Sequence, residues 1–145
     1  MASGHSVIPA SYLIFKRADE ILLLERANTG YMDGYYSFVA GHVDPNESFT
    51  EAMIREAYEE VGIKIKPEQL TVAHIQHRKS DDSERVDTFF VTEDWEGEIC
   101  NMEPHKCANL NWFNIKELPE NIIPHLADVV EYIQNNKHYS EHGWD

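Results

Sequence analysis

At 145 residues, with 42% hydrophobic and 26% charged side chains, the chain fits one domain with one core and is not a disordered polymer. Its 26 acidic and 12 basic residues leave a net charge of −14, which argues against a nucleic acid polymer as partner, because phosphate contacts need a basic surface. No apolar run approaches the ~20 residues that span a bilayer, residues 1–5 lack the basic start and apolar stretch of a signal peptide, and no motif pairs Cys100 with Cys107. The expectation is a single domain over residues 1–145, with 1–5 a disordered tail, reduced thiols, a cytoplasmic location and no membrane partner.

Residues 6–15 are apolar and β-prone, and 21–25 form a short buried run; 17–20 read as the turn between them. Residues 27–34 are polar with two glycines, hence a loop, and 36–39 read as a short strand. After a loop over 41–47, with its turn at Pro45 and Asn46, the best helix covers 48–61. Ser48 followed by Glu51 is a capping box, in which the hydroxyl meets a free backbone N–H and the Glu reaches back. Gly62 suits the left-handed position that ends a helix. Strands are expected at 70–78, 85–93 and 110–114. A last helix over 123–135 places Leu126, Val129, Val130 and Ile133 at helical spacing. This order implies a mixed sheet between helices, an α/β (α+β) fold.

The helix at 48–61 carries the chemistry. At about 100° per residue, Glu56, Glu59 and Glu60 fall within roughly a third of its circumference. Ile54, Ala57, Tyr58 and Val61 fall on the other side and are expected to face the core. Like charges at these spacings repel, and only Arg55 lies near enough to relieve them. One reading is a solvated acidic face. The other is a site for Mg²⁺, which takes hard oxygen ligands and keeps positions for water and phosphate; a rule broken locally is expected at a functional site.

The spacing Gly-x5-Glu-x7-Arg-Glu-x-x-Glu-Glu-x-Gly-Ile resembles the signature of the Nudix hydrolase family. Gly41, Glu47, Arg55, Glu56, Glu59, Glu60 and Gly62 match its fixed positions. Ile63 supplies one of its two bulky aliphatics, and Ala57 is a smaller residue at the other. The resemblance implies an α/β/α sandwich with a mixed sheet and a loop–helix–loop catalytic element. It implies that Glu56, Glu60 and the Gly41 carbonyl hold Mg²⁺ (Mn²⁺ being the alternative), and that Glu59 binds a further metal or helps activate water. Arg55 would hold the carboxylates and pair with Glu47. The metals would neutralise phosphate charge and lower the pKa of the attacking water.

Over residues 6–135 the chain is similar to the MutT-type nucleoside triphosphate pyrophosphatases. From that likeness Arg26 is a substrate-contacting residue, Glu103 a further metal-binding or base carboxylate, and Asn121 a base-reading side chain; Arg85 is a similar candidate. For each of these the alternative is a surface or turn role. Tyr31 or Tyr35 is read either as stacking on a base or as rim of an ordered loop. His42, beside Gly41, either touches phosphate or packs on the backbone. In place of the common Pro-Gly-Gly before the box stands Val39-Ala40-Gly41. Cys100, His105 and Cys107, with His138 and His142, are a weak zinc candidate whose spacing fits no finger or ribbon. His74, His77 and His125 read as structural.

Marks of the ADP-ribose, dinucleoside polyphosphate and coenzyme A subgroups are absent. A small nucleotide, a nucleoside triphosphate cut to monophosphate and pyrophosphate, is therefore favoured. The alternatives are a nucleotide sugar or other nucleoside diphosphate derivative, or a non-catalytic ligand-sensing domain. Either a monomer or a homodimer is compatible with the sequence.

Overall fold

The computed structural model describes residues 4–145; of the tail expected over 1–5, residues 1–3 lie outside the described residues. The strands are β1 (Ile8–Arg17), β2 (Glu20–Arg26), β3 (Tyr36–Ser37), β4 (Val39–His42), β5 (Thr71–Lys79), β6 (Glu84–Thr92), β7 (Cys107–Asn114) and β8 (Tyr139–His142). The helices are α1 (Phe49–Val61), between β4 and β5, and α2 (Pro124–Gln134), between β7 and β8.

β1 organises the sheet. One edge runs parallel to β6 from Ile8 to Phe15. The other edge is divided, pairing antiparallel with β4 at Ala10 to Leu13 and with β2 at Lys16 and Arg17. Beyond β2 lie β7 and the short β3; beyond β6 lie β5, antiparallel, and β8, parallel to β5. The sheet is therefore mixed, as expected.

Side chains alternate across a strand, and here both faces are buried. Leu13, Phe15, Leu22, Leu24, Val39 and Phe90 pack with Met53, Ala57 and Val61 of α1. Ile14, Ile21, Leu23, Phe38 and Phe89 pack with Leu126, Val129 and Val130 of α2. The outcome is the α/β/α layering that the motif implied. Among the described residues no helix is long and apolar enough to cross a membrane.

The inward face of α1 differs from the sequence expectation. Ala57 and Val61 are buried, but so are Ala52 and Met53, whereas Ile54 is half-buried and Tyr58 is 55% exposed. The stripe that faces the sheet runs 53, 57, 61, at i,i+4 spacing. It therefore lies next to the Glu56–Glu60 row rather than opposite it, and this brings the carboxylates to the rim of the core. β7 begins three residues earlier than expected, at Cys107, and β8 was not expected at all. β8 is a four-residue, largely exposed strand of Tyr-Ser-Glu-His whose pairing with β5 has no local signature.

Met53→Ala is expected to cost about 2–5 kcal/mol, because it removes a fully buried side chain from the α1 core. Tyr58→Ala should stay within ~0.5 kcal/mol, as exposed substitutions do. Chemical denaturation of both variants checks the orientation of the helix; equal losses would contradict it.

Candidate functional site

The site is built where the β4 loop enters α1. The Ser48 hydroxyl accepts from the Glu51 amide at 3.0 Å, and the Glu51 carboxylate accepts from the Ser48 amide at 2.9 Å, so the expected capping box is formed. At the other end Gly62 sits at φ 72°, and its amide returns to the Ala57 and Tyr58 carbonyls. Both ends of the helix are thus set by local chemistry.

Arg55 is the hub. Its Nε donates to Glu47 Oε2 at 2.8 Å and its Nη2 to Glu47 Oε1 at 3.0 Å, a bidentate fork. Nη2 also donates to the His42 carbonyl at 3.2 Å and lies 3.4 Å from Asp44 Oδ2. Nη1 donates to Glu56 Oε1 at 2.7 Å and to Glu59 Oε2 at 3.3 Å. The Arg55 hydrogen bonds, then the amide of Asp44, pull the Glu47 carboxyl down from 4.5 to about 2. The surrounding carboxylates, Glu47 first, raise the Arg55 guanidinium further above its already high value.

Glu60 is treated differently. Its Oε2 is buried and, among the described residues, has no hydrogen-bond partner. Burial first, and then Glu56 and Glu103 beside it, push its pKa well above the ordinary carboxylate range, while the Ala40 amide opposes this. Such a group costs free energy unless a donor or a cation meets it. Gly41 lies opposite, and a Cβ there would overlap the Glu56 carboxyl. That close approach leaves room for a side-chain-free carbonyl beside the carboxylates.

The donors are all hard oxygens, and one of them is buried without a partner, so the residues fit a hard divalent cation such as Mg²⁺ or Mn²⁺. They do not form a closed cage: among the described residues no three His, Cys, Asp or Glu side chains converge as a ready-made metal cluster. Arg55 already takes part of Glu56 and Glu59. This suits Mg²⁺, which is commonly held by one or two carboxylates together with water and substrate phosphate.

A cavity of about 590 Å³ opens over this face, and Gly41, Glu56, Glu59, Glu60, Arg26, Glu103 and Lys106 line it. A second cavity, also about 590 Å³, shares Arg26, Gly41 and His42 with the first and adds Tyr31, Arg78 and Arg85. Arg26 is braced by its own loop, donating to the Tyr31 carbonyl at 2.7 Å and to Thr29 Oγ1 at 3.0 Å. Asn121 is not brought in: its side chain donates to the Gly34 carbonyl at 2.8 Å, its carbonyl accepts from the Tyr36 amide, and it lines neither cavity. Tyr35 lines neither cavity.

Three participants were not singled out in the sequence. Asp44 joins the Arg55 hub, Lys106 lines the first cavity and Arg78 the second. The position of Lys106 as a lone base in an acidic stretch was a usable signal. Nothing local marks Arg78.

The histidines read as structural are bonded within the fold. His74 Nδ1 lies 2.8 Å from the Lys137 carbonyl and Nε2 2.7 Å from Ser140 Oγ. His77 meets Glu84 at 2.7 Å, and His125 meets Gln76 at 3.2 Å. The weak zinc candidate is not assembled. Cys107 is buried with its thiol on the Asn109 carbonyl, Cys100 lies against Met102, and His142 lies against His125.

Comparison with known proteins gives the family and the fold. The NUDIX domain family matches residues 7–133. The chain is 30% identical over 125 residues to the NAD-capped RNA hydrolase NudC of Stutzerimonas stutzeri, covering 86% of this chain and 42% of that protein. To the protein of the same name in Escherichia coli it is 28% identical over 113 residues, covering 78% and 41%. The chain therefore spans less than half the length of these curated relatives. Among solved structures it resembles the MutT NUDIX hydrolase of Burkholderia pseudomallei, with a TM-score of 0.80 at 22% identity over 88% of this chain and 98% of that one. It also resembles the MutT protein of Methanosarcina mazei, with a TM-score of 0.77 at 19% identity over 92% and 97%. At those identities the structures share the fold.

Arg55→Ala is expected to cost about 2 kcal/mol at neutral pH, less than the ~3–5 kcal/mol of a fully buried pair, because the guanidinium is 31% exposed. The depressed Glu47 pKa gives the sign in acid. In the metal-free protein its contribution is complete above the ordinary 4.5 and is lost as pH falls towards about 2. Thermal melts over this interval should show a steeper acid loss in wild type than in Arg55→Ala; parallel curves would exclude the pair as its source.

Proposed function

Because the chain belongs to the NUDIX family, we propose that it is a divalent-metal-dependent pyrophosphohydrolase of nucleoside-diphosphate-linked substrates. The observation that carries this reading is the buried Glu60 Oε2, without a partner among the described residues and set with Glu56, Glu59 and the Gly41 backbone of β4 on one cavity. Glu56, Glu60 and the Gly41 carbonyl would hold the metal, with Glu59 and Glu103 beside them. A divalent cation bound there supplies charge neutralisation for phosphate oxygens and acidifies water.

The chain's own residues do the rest. Arg55 fixes the directions of Glu47, Glu56 and Glu59, so the carboxylates need not reorganise when charge develops. Arg26 and Lys106 offer positive charge to phosphate at the cavity wall. Glu59, more exposed than Glu56 and Glu60, is the carboxylate best placed to take a proton from the attacking water.

A nucleoside triphosphate cut to monophosphate and pyrophosphate is the favoured reaction; a nucleotide sugar is the alternative. The named relatives act on NAD-capped RNA, but a net charge of −14 suits an RNA chain poorly. A purely ligand-sensing domain would have no reason to keep mutually repelling carboxylates together.

Chelation should abolish turnover, and Glu60→Gln should lower kcat by roughly 100-fold or more, on the scale of removing one preorganised charged group, with the fold intact. Turnover at wild-type rate in Glu60→Gln at saturating Mg²⁺ would remove the proposed site. With a triphosphate in ¹⁸O-labelled water, monophosphate and pyrophosphate are expected, with label in one product only. Orthophosphate as the main product would point instead to attack at the terminal phosphate.

A further inference from the structure

The second cavity contains an arrangement that the pyrophosphohydrolase chemistry does not require. In the β5–β6 ladder Arg78 stands directly opposite Arg85. Like charges directly opposed across strands destabilise a sheet. This chain nevertheless places two of its few cations there, and both line the same cavity. Arg78 is only 11% exposed and is anchored by one bond, Nε to Asp87 Oδ2 at 2.9 Å, with Asp87 fully buried. Among the described residues no protein acceptor takes its Nη groups, which are not buried, so they are left to the cavity. Arg85 Nη1 lies 3.2 Å from the His42 ring. Asp87 balances one guanidinium. The other meets a histidine, and Asp82 lies on the cavity wall with the Ser80 and Ser83 hydroxyls.

We propose that Arg78 and Arg85 form a subsite for a phosphate group lying outside the diphosphate that is cleaved. A planar guanidinium fixed at Nε presents its remaining N–H groups as a fork suited to phosphate oxygens, and an anion relieves the opposed charges where a neutral carbonyl would not. His42 joins the two sites: its ring meets Arg85, its carbonyl accepts from Arg55, and it follows Gly41 in the chain. This deepens the pyrophosphohydrolase reading and rests on it for the substrate. The extra phosphate is either the terminal one of a nucleoside triphosphate or one on a ribose.

The first probe is inorganic pyrophosphate, titrated calorimetrically into the metal-free protein. Binding should weaken by about tenfold or more in Arg85→Gln, the scale of a lost charge-assisted bond. It should weaken likewise in the double variant Arg78→Met, Asp87→Leu, which removes the buried pair as a unit and leaves no lone buried charge. The second measurement compares KM with Mg²⁺ for a nucleoside triphosphate against a nucleotide sugar, and for a nicotinamide dinucleotide with and without its 2′-phosphate. In one pair the variants should raise KM of the phosphate-bearing member at least about tenfold more than that of its counterpart, and that pair identifies the source. Pyrophosphate affinity unchanged in both variants, or KM values that move together in both pairs, would overturn the subsite. Pair-dependent pyrophosphate binding in a protein that hydrolyses none of these compounds would uphold the subsite and sink the hydrolase reading.

Discussion

Arg55 is the interaction on which the rest of the site depends. One guanidinium binds Glu47, Glu56 and Glu59, approaches Asp44 and takes the His42 carbonyl. Without it the first turns of α1 and the loop before them would bring several carboxylates together with nothing between them. With it, the loop is fastened to the helix and the carboxylates acquire fixed directions. Glu60 is the one member of the glutamate row that Arg55 does not reach, and its buried Oε2 has no hydrogen-bond partner among the described residues.

The fold serves this hub by geometry. β1 gives half of one edge to β4, and the register sets Gly41 opposite Ser11 in the interior of the sheet. The Ser11 hydroxyl in turn donates to the Phe49 carbonyl at the start of α1. Strand, loop and helix are thereby joined at the point where backbone and carboxylates must approach closely, and Gly41 is the residue that permits it. The Met53–Ala57–Val61 stripe presses the helix on the sheet, which turns the adjacent glutamate row to the cavity rim.

Charge is distributed unevenly about this frame. The chain is strongly acidic, yet Arg26, Lys106, Arg78 and Arg85 line the two cavities, which share Arg26, Gly41 and His42 as wall. A field of that kind disfavours anionic polymers over most of the surface while giving small phosphorylated molecules one place with both cations and metal-binding oxygens.

The sequence by itself determined whatever is local or spaced along one element. Ser48 with Glu51, Gly62, the alternation in β1 and β2, and the row from Glu47 to Glu60 act over a few residues, so their chemistry could be read directly. The tertiary structure decided what depends on distant segments. The helix rotation that buries Met53 and exposes Tyr58 follows from packing on β1 and β4. Asn121 was spent on Gly34 by a contact across 87 positions, and the parallel pairing of β8 with β5 has no pattern of its own. Arg78 meets Arg85 only because the β5–β6 register sets them opposite; a shift of one residue would send one guanidinium to the opposite face, and that register comes from the turn between Lys79 and Glu84 together with the buried pattern of both strands, which neither strand shows alone.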